Sequence, residues 1–147
     1  MFLDKMNHDN FFTERTLKFT MVYDKENTAP EFHEKIKDLA DFLISEDYEV
    51  ELFDNLQRYN IASLTDVFVS FSKDYDIDKL DVRENAIKVL FVDGSLYESH
   101  DSLDEKNKSA YDLLCADKDL NDQDMKYIDS NKTFLHVLED IVLNKYD

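Results

Sequence analysis

One glycine, Gly94, and one proline, Pro30, serve the whole chain of 147 residues. Phosphate cradles need glycine, because only a residue without a side chain lets backbone amides close on a ligand oxygen. A chain with a single glycine cannot write a Walker loop, a dinucleotide-binding turn or a nucleophile elbow. That scarcity removes several large enzyme classes before any other residue is read.

The rest of the composition bounds the class. Hydrophobic residues make up 43% of the chain and aromatic residues 13%. That is too apolar for a disordered acidic tail, so a packed core is expected. The length fits a single domain spanning 1–147. One cysteine, Cys115, allows no intrachain disulfide and favours a reducing compartment. The segment Met1–Met6 lacks the charged start and apolar run of a secretory signal. Apolar stretches such as Val89–Val92 are far shorter than a membrane span. A soluble, cytoplasmic protein is the expectation.

Periodicity outlines the elements. Residues 16–23 alternate, with Leu17, Phe19, Met21 and Tyr23 on one face, and read as a strand. Thr28-Ala29-Pro30-Glu31 has the form of a capping box with proline in the first turn. Phe32, Ile36, Leu39 and Leu43 then repeat at helical spacing to about Ser45. Residues 48–53 read as a second strand, which completes a β-α-β unit over 16–53. In residues 61–73 the spacing of Ile61, Leu64, Val67, Phe68 and Phe71 fits a helix, capped by Ser63 with Asp66; Val67, Val69 and Phe71 also fit a strand, and the helix is the reading favoured. Residues 74–85 read as a charged loop and Ile87–Val92 as a strand. Asp93-Gly94 between two alternating runs predicts a hairpin with a return strand over 95–99. Ser102 with Glu105 marks a helix start, and Leu103, Ala110, Leu113 and Leu114 line that helix to about Ala116. A short helix over 122–128 and a last helix over about 132–145 follow. Phe134, Val137, Leu138, Ile141 and Val142 face inward on that last helix. Phe11-Phe12 is expected to dock the amino-terminal arm on the core. The fold class is α+β: a small mixed sheet, made of the β-α-β unit plus a hairpin, packed by helices, with a helical C-terminal third.

Charge is the second strong signal. The chain holds 34 Asp and Glu against 17 Lys and Arg, a formal net charge of -17. Such excess costs stability through self-repulsion and points to a role outside the fold. The surplus lies between residues 46 and 129, with dense runs over 46–54, 74–84 and 117–129. The candidate partner-binding residues are Asp47, Glu49 and Glu51 in the first run, and Asp74, Tyr75, Asp76 and Asp78 in the second. Asp117, Asp119, Asp122 and Asp124 supply the third. A tyrosine beside carboxylates suits capture of arginine by ion pairing plus stacking, and Tyr75, in the most polar stretch, is the leading contact. The stripe Glu31, Glu34, Asp38 and Asp41 on the first helix, with Lys35 and Lys37 beside it, reads as a solvated face.

Site chemistry is mostly excluded. Asp74, Asp76 and Asp78 open like an EF-hand loop, but Lys79 stands where glycine belongs and Asn85 where the bidentate Glu belongs. Asp117, Asp119 and Asn121 fail likewise, with Asp122 and Ile128 at those positions. His8, His33, His100 and His136 show no ligand spacing, and one cysteine builds no thiolate site. Cys115 lies on an apolar helical face, where an inert buried thiol is the default. No metal, cofactor or catalytic residue is assigned. Direct nucleic-acid binding is not expected, since the bases form no patch.

The expectation is a non-enzymatic acidic binding protein. It would mimic nucleic acid and block the basic nucleic-acid-binding surface of a partner, such as a nuclease. An anti-defence inhibitor from a phage or mobile element, of the anti-CRISPR or antirestriction kind, fits that size and charge. The alternative is an immunity protein neutralising a basic toxin. A third reading is a small enzyme or divalent-ion-binding protein whose site the sequence hides.

Overall fold

The computed structural model describes residues 17–61, 64–96 and 105–146. The arm with Phe11-Phe12, Ser63, the return strand beyond Leu96 and the Ser102 capping position fall outside these residues. Among the described residues the fold is α+β, with six strands and three helices. The strands are β1 (Lys18–Val22), β2 (Glu49–Phe53), β3 (Val67–Ser70), β4 (Ile87–Val92), β5 (Leu113–Ala116) and β6 (Lys126–Tyr127). The helices are α1 (Pro30–Ser45), α2 (Glu105–Ala110) and α3 (Asn131–Tyr146). Short 3-10 turns occupy Ile77–Lys79 and Gly94–Leu96.

One sheet holds all six strands in the order β2-β1-β3-β4-β5-β6. Every pairing is parallel, so the sheet is not mixed. Parallel neighbours require a crossover after each strand, and the crossovers cover both faces. The strands are therefore buried on both sides, and their side chains alternate between two cores. Phe19, Met21, Val67, Val69, Val89 and Phe91 join Phe32, Ile36, Leu39 and Leu43 of α1 and Phe134, Leu135 and Leu138 of α3. Val22, Phe68, Leu90, Val92 and Leu114 join Ile61, Tyr75, Ile77 and Tyr111 from the opposite layer of loops and turns. Burying each such large side chain contributes about 1.5–3 kcal/mol relative to leaving it in water.

α1 follows its sequence pattern, but its start differs from the expected box. Ala29 is the N-cap and no side chain caps the helix. The Thr28 hydroxyl instead donates to Asp24 O, which ties the loop after β1. Proline in the first turn costs nothing there, because that amide has no helical acceptor. At the other end Asp47 takes φ 69°. Tyr48 N–H donates to Leu43 O and Asp47 N–H to Ile44 O, both at 3.0 Å, the bond pattern of a Schellman stop. Asp tolerates that left-handed conformation better than most residues, so Asp47 has a structural task.

Three expected elements change. Val67–Ser70 is a strand, not part of a helix; all four residues are buried, and a strand hidden on both faces loses its alternation. The apolar run Leu113–Ala116 is likewise a strand and not a helix end, so the C-terminal third interleaves helix and strand. Residues 122–128 form a turn and the short β6, not a helix.

The hairpin at Asp93-Gly94 is replaced by the 3-10 turn over Gly94–Leu96. Gly94 has no positive φ, which the tight hairpin turn requires. It is glycine for a different reason: a Cβ there would lie 2.8 Å from Lys118 Cβ and 3.0 Å from Asp117 Oδ1. Cys115 is fully buried, and burial pushes its thiol well above its ordinary pKa.

Candidate functional site

Tertiary contacts divide the candidate acids into those already engaged and those left open. Glu51 on β2 pairs with Lys18 on the adjacent β1. Asp76 pairs with Lys79 at 3.8 Å and with Lys106 at 3.4 Å. Asp78 meets the same Lys106 at 2.9 Å, and that carboxylate hydrogen bond, ahead of all other causes, raises the Lys106 pKa. Asp124 pairs with Lys108 at 3.1 Å. Asp117 is the most committed: its Oδ1 accepts Gly94 N–H at 2.7 Å and its Oδ2 meets Lys35 Nζ at 2.6 Å. Its side chain is only 8% exposed, so it braces the turns after β4 and β5.

Asp119 and Asp122 shape their own loop, accepting Asn121 N–H at 3.0 Å and Asp124 N–H at 2.9 Å respectively. Such two-residue bonds are Asx turns. Tyr75, the expected leading contact, is 2% exposed. Its hydroxyl donates to Arg58 O at 2.6 Å and its ring packs on Tyr59 and Phe68. It is a core residue beneath the 74–78 loop, because the polar residues flanking it in sequence point the other way. Burial raises its phenol well above the ordinary value.

The sheet also separates the first run from the third. Glu49 and Glu51 lie on one edge strand, while the 117–124 segment leads into the strand at the opposite edge. The second and third runs meet through α2, where Lys106 holds Asp76 and Asp78 and Lys108 holds Asp124. Of the candidate acids, Asp47, Glu49, Asp74 and Asp119 stay exposed with no ion pair among the described residues, and a longer open run lies on α1. Glu31, Glu34, Asp38 and Asp41 on α1 are exposed, followed by Glu46, Asp47 and Glu49. No ion pair engages any of them among the described residues. From Glu31 to Asp41 the stripe runs roughly 15 Å, at about 1.5 Å of rise per residue. Of its two flanking bases, Lys35 is turned away to Asp117. The i,i+3 and i,i+4 spacing marked this stripe in the sequence; only the ion pairs distinguish it from the loop acids.

Two concavities border this helix. The first lies past the C-terminal ends of β1, β3 and β4, where the strand order reverses and where open parallel sheets hold their ligands. It is about 220 Å³ in volume and presents Asp24, Asp74 and Asp93 beside Lys73. Asp93 Oδ1 accepts the Ser95 amide at 3.0 Å and hydroxyl at 2.7 Å, so it serves the turn that follows β4. Among the described residues no histidine or cysteine lines this crevice. The second concavity, about 330 Å³, runs between α1 and the turn from β6 into α3.

Among the described residues no group of three or more His, Cys, Asp or Glu is placed to hold a metal ion, and no helix is long and apolar enough to cross a membrane. Compared with protein-family models, with curated proteins and with solved structures, the chain matches none.

Proposed function

We propose that the protein is a non-enzymatic acidic binding protein that occupies the basic, nucleic-acid-binding surface of a partner protein and blocks it. The observation that carries this reading is the run of exposed carboxylates from Glu31 along α1 to Glu49, which no ion pair engages among the described residues. A charge excess of -17 that internal lysines do not cancel creates a field felt at a distance, which speeds encounter with a cationic groove. Carboxylates spaced along a rigid helix then meet Arg and Lys side chains that otherwise hold phosphates, themselves about 3.4 Å apart along each strand.

The reading shifts weight among the candidate residues. Asp76 and Asp78 already hold Lys106, so the 74–78 loop offers less free charge than the α1 stripe. Charge reversal at Glu34 and Asp38 is expected to weaken partner binding more than reversal at Asp76 and Asp78.

The biological setting that fits is inhibition of a defence nuclease by a phage or mobile element. Tight binding to a toxin encoded beside this chain would instead make it an immunity protein. The test uses the intact chain immobilised on a resin to capture a partner from its host. The captured protein is expected to lose DNA or RNA when the chain is added, with association slowing steeply as salt rises, since screening sets in at about 10 Å in 0.1 M salt. A complex that ignores salt and leaves nucleic acid bound would refute the reading.

A further inference from the structure

The groove between α1 and the β6–α3 turn combines two chemistries that a purely electrostatic surface does not need. Its floor is apolar: Phe32, Phe71 and Phe91 form a ring cluster with centroids 5.7–6.1 Å apart, and Leu39 and Ile128 extend it. Its rim is acidic. Asp38 and Asp129 are exposed on opposite sides, and no ion pair engages either among the described residues. Among the described residues the one base on the rim, Lys35, is held by Asp117 at 2.6 Å.

The amino end of α3 also borders the groove, and its positive dipole end would by itself repel a cation. Here Ser130 Oγ accepts Thr133 N–H at 3.2 Å, and Asp129 accepts the Thr133 hydroxyl. A carboxylate therefore stands in front of that helix end. Asp38 belongs to the open α1 stripe, so groove and stripe are continuous.

We propose that this groove receives a long cationic side chain together with an aliphatic neighbour, an arginine or lysine beside a leucine-like residue, from a basic protein partner. The stem would lie on the phenylalanine floor while the charged head stays at the wet rim between Asp38 and Asp129, as amphipathic side chains do elsewhere. Charge complementarity selects this occupant. An anionic ligand would meet unpaired carboxylates at the rim, and a wholly apolar one would leave both rim charges uncompensated. The inference rests on the acidic-binding reading and deepens it: the stripe attracts, and the groove supplies the anchor that gives an interface most of its energy.

The test is an NMR titration of the full chain with three capped pentapeptides: arginine-leucine-arginine flanked by glycines, the same with glutamate for arginine, and the same with glycine for leucine. The first is expected to shift the Ile128 methyl and Phe32 ring signals saturably, the second not at all, and the third only weakly. Two double variants carry equal charge changes, Asp38→Lys with Asp129→Lys and Glu34→Lys with Asp41→Lys. The first is expected to weaken the arginine-leucine peptide about tenfold and the second about two- to threefold, because only the first pair flanks the bound head group. Asp129→Asn, which removes the charge but keeps an acceptor for Thr133, repeats the measurement should lysine there unfold α3. Equal losses in the two double variants, or a glycine peptide as tight as the leucine one, would overturn the groove while leaving charge-driven binding intact. Failure of both cationic peptides to bind at low salt would overturn both.

Discussion

Asp66 organises the N-terminal edge of the sheet, and its removal has a calculable cost. It is fully buried. Its Oδ2 accepts Lys18 N–H at 2.9 Å, its Oδ1 accepts from the Arg83 guanidinium, and its backbone bonds to Lys18 O and Ile87 N–H at 2.9 Å each. One residue thus joins β1, β3 and β4. Asp66→Ala leaves a buried guanidinium and a buried amide without this acceptor. Breaking one side of a buried pair costs about 3–5 kcal/mol, and an orphaned amide about 1–3 kcal/mol. The two penalties share the same desolvation, so a total of about 4 kcal/mol is expected. At about 2–4 °C per kcal/mol, Tm falls by about 8–16 °C.

Arg83 has buried Nε and Nη1 groups with no hydrogen-bond partner among the described residues. Its positive charge is therefore poorly repaid once Asp66 is gone. Arg83→Met on top of Asp66→Ala is expected to recover about 2 kcal/mol, since apolar replacement of a whole buried pair is often neutral. Urea unfolding followed by far-UV circular dichroism, extrapolated linearly to water, reads all four corners of the cycle. A loss below about 1 kcal/mol for Asp66→Ala, or a double variant that loses the sum of the singles, would refute the argument.

Three further outcomes follow from other parts of the molecule. Gly94→Ala would force its new methyl against Lys118 Cβ at 2.8 Å and strain the Asp117 bond, so a loss of about 1–3 kcal/mol is expected; a wild-type Tm would show that the turn yields freely. Burial raises the phenols of Tyr75 and Tyr111 above their usual value of 10.0. The folded state then holds these protons more tightly than the unfolded chain, so their contribution is complete below pH 10 and is lost as pH climbs beyond it. Tyr75→Phe with Tyr111→Phe should flatten that alkaline decline in urea midpoints, and an unchanged slope would exclude these two rings as its source. Cys115, fully buried with a raised thiol, should react with a thiol reagent only at the rate at which the sheet opens; immediate reaction in native buffer would contradict its placement.

Some elements declared themselves in the sequence because one face of each meets solvent. α1 and α3 show helical spacing, since polar residues occupy their outer sides. β4, a short apolar run bounded by polar residues, was legible by composition. β3 and β5 were misread for the complementary reason. Val67–Ser70 and Leu113–Ala116 are buried on both faces, so no polar alternation survives to separate strand from helix. Asp93-Gly94 carried a hairpin signal that the fold overrode, because Gly94 is demanded by the close approach of Lys118 from a distant loop.

The charge follows the same division. Composition alone determined that the protein is strongly acidic, with an apolar core and no glycine-built phosphate site. Which carboxylates remain free was decided by tertiary structure, because an ion pair such as Lys35 with Asp117 joins residues far apart along the chain. Strand order was decided there too: local spacing records which side of an element is buried, but not which neighbour buries it.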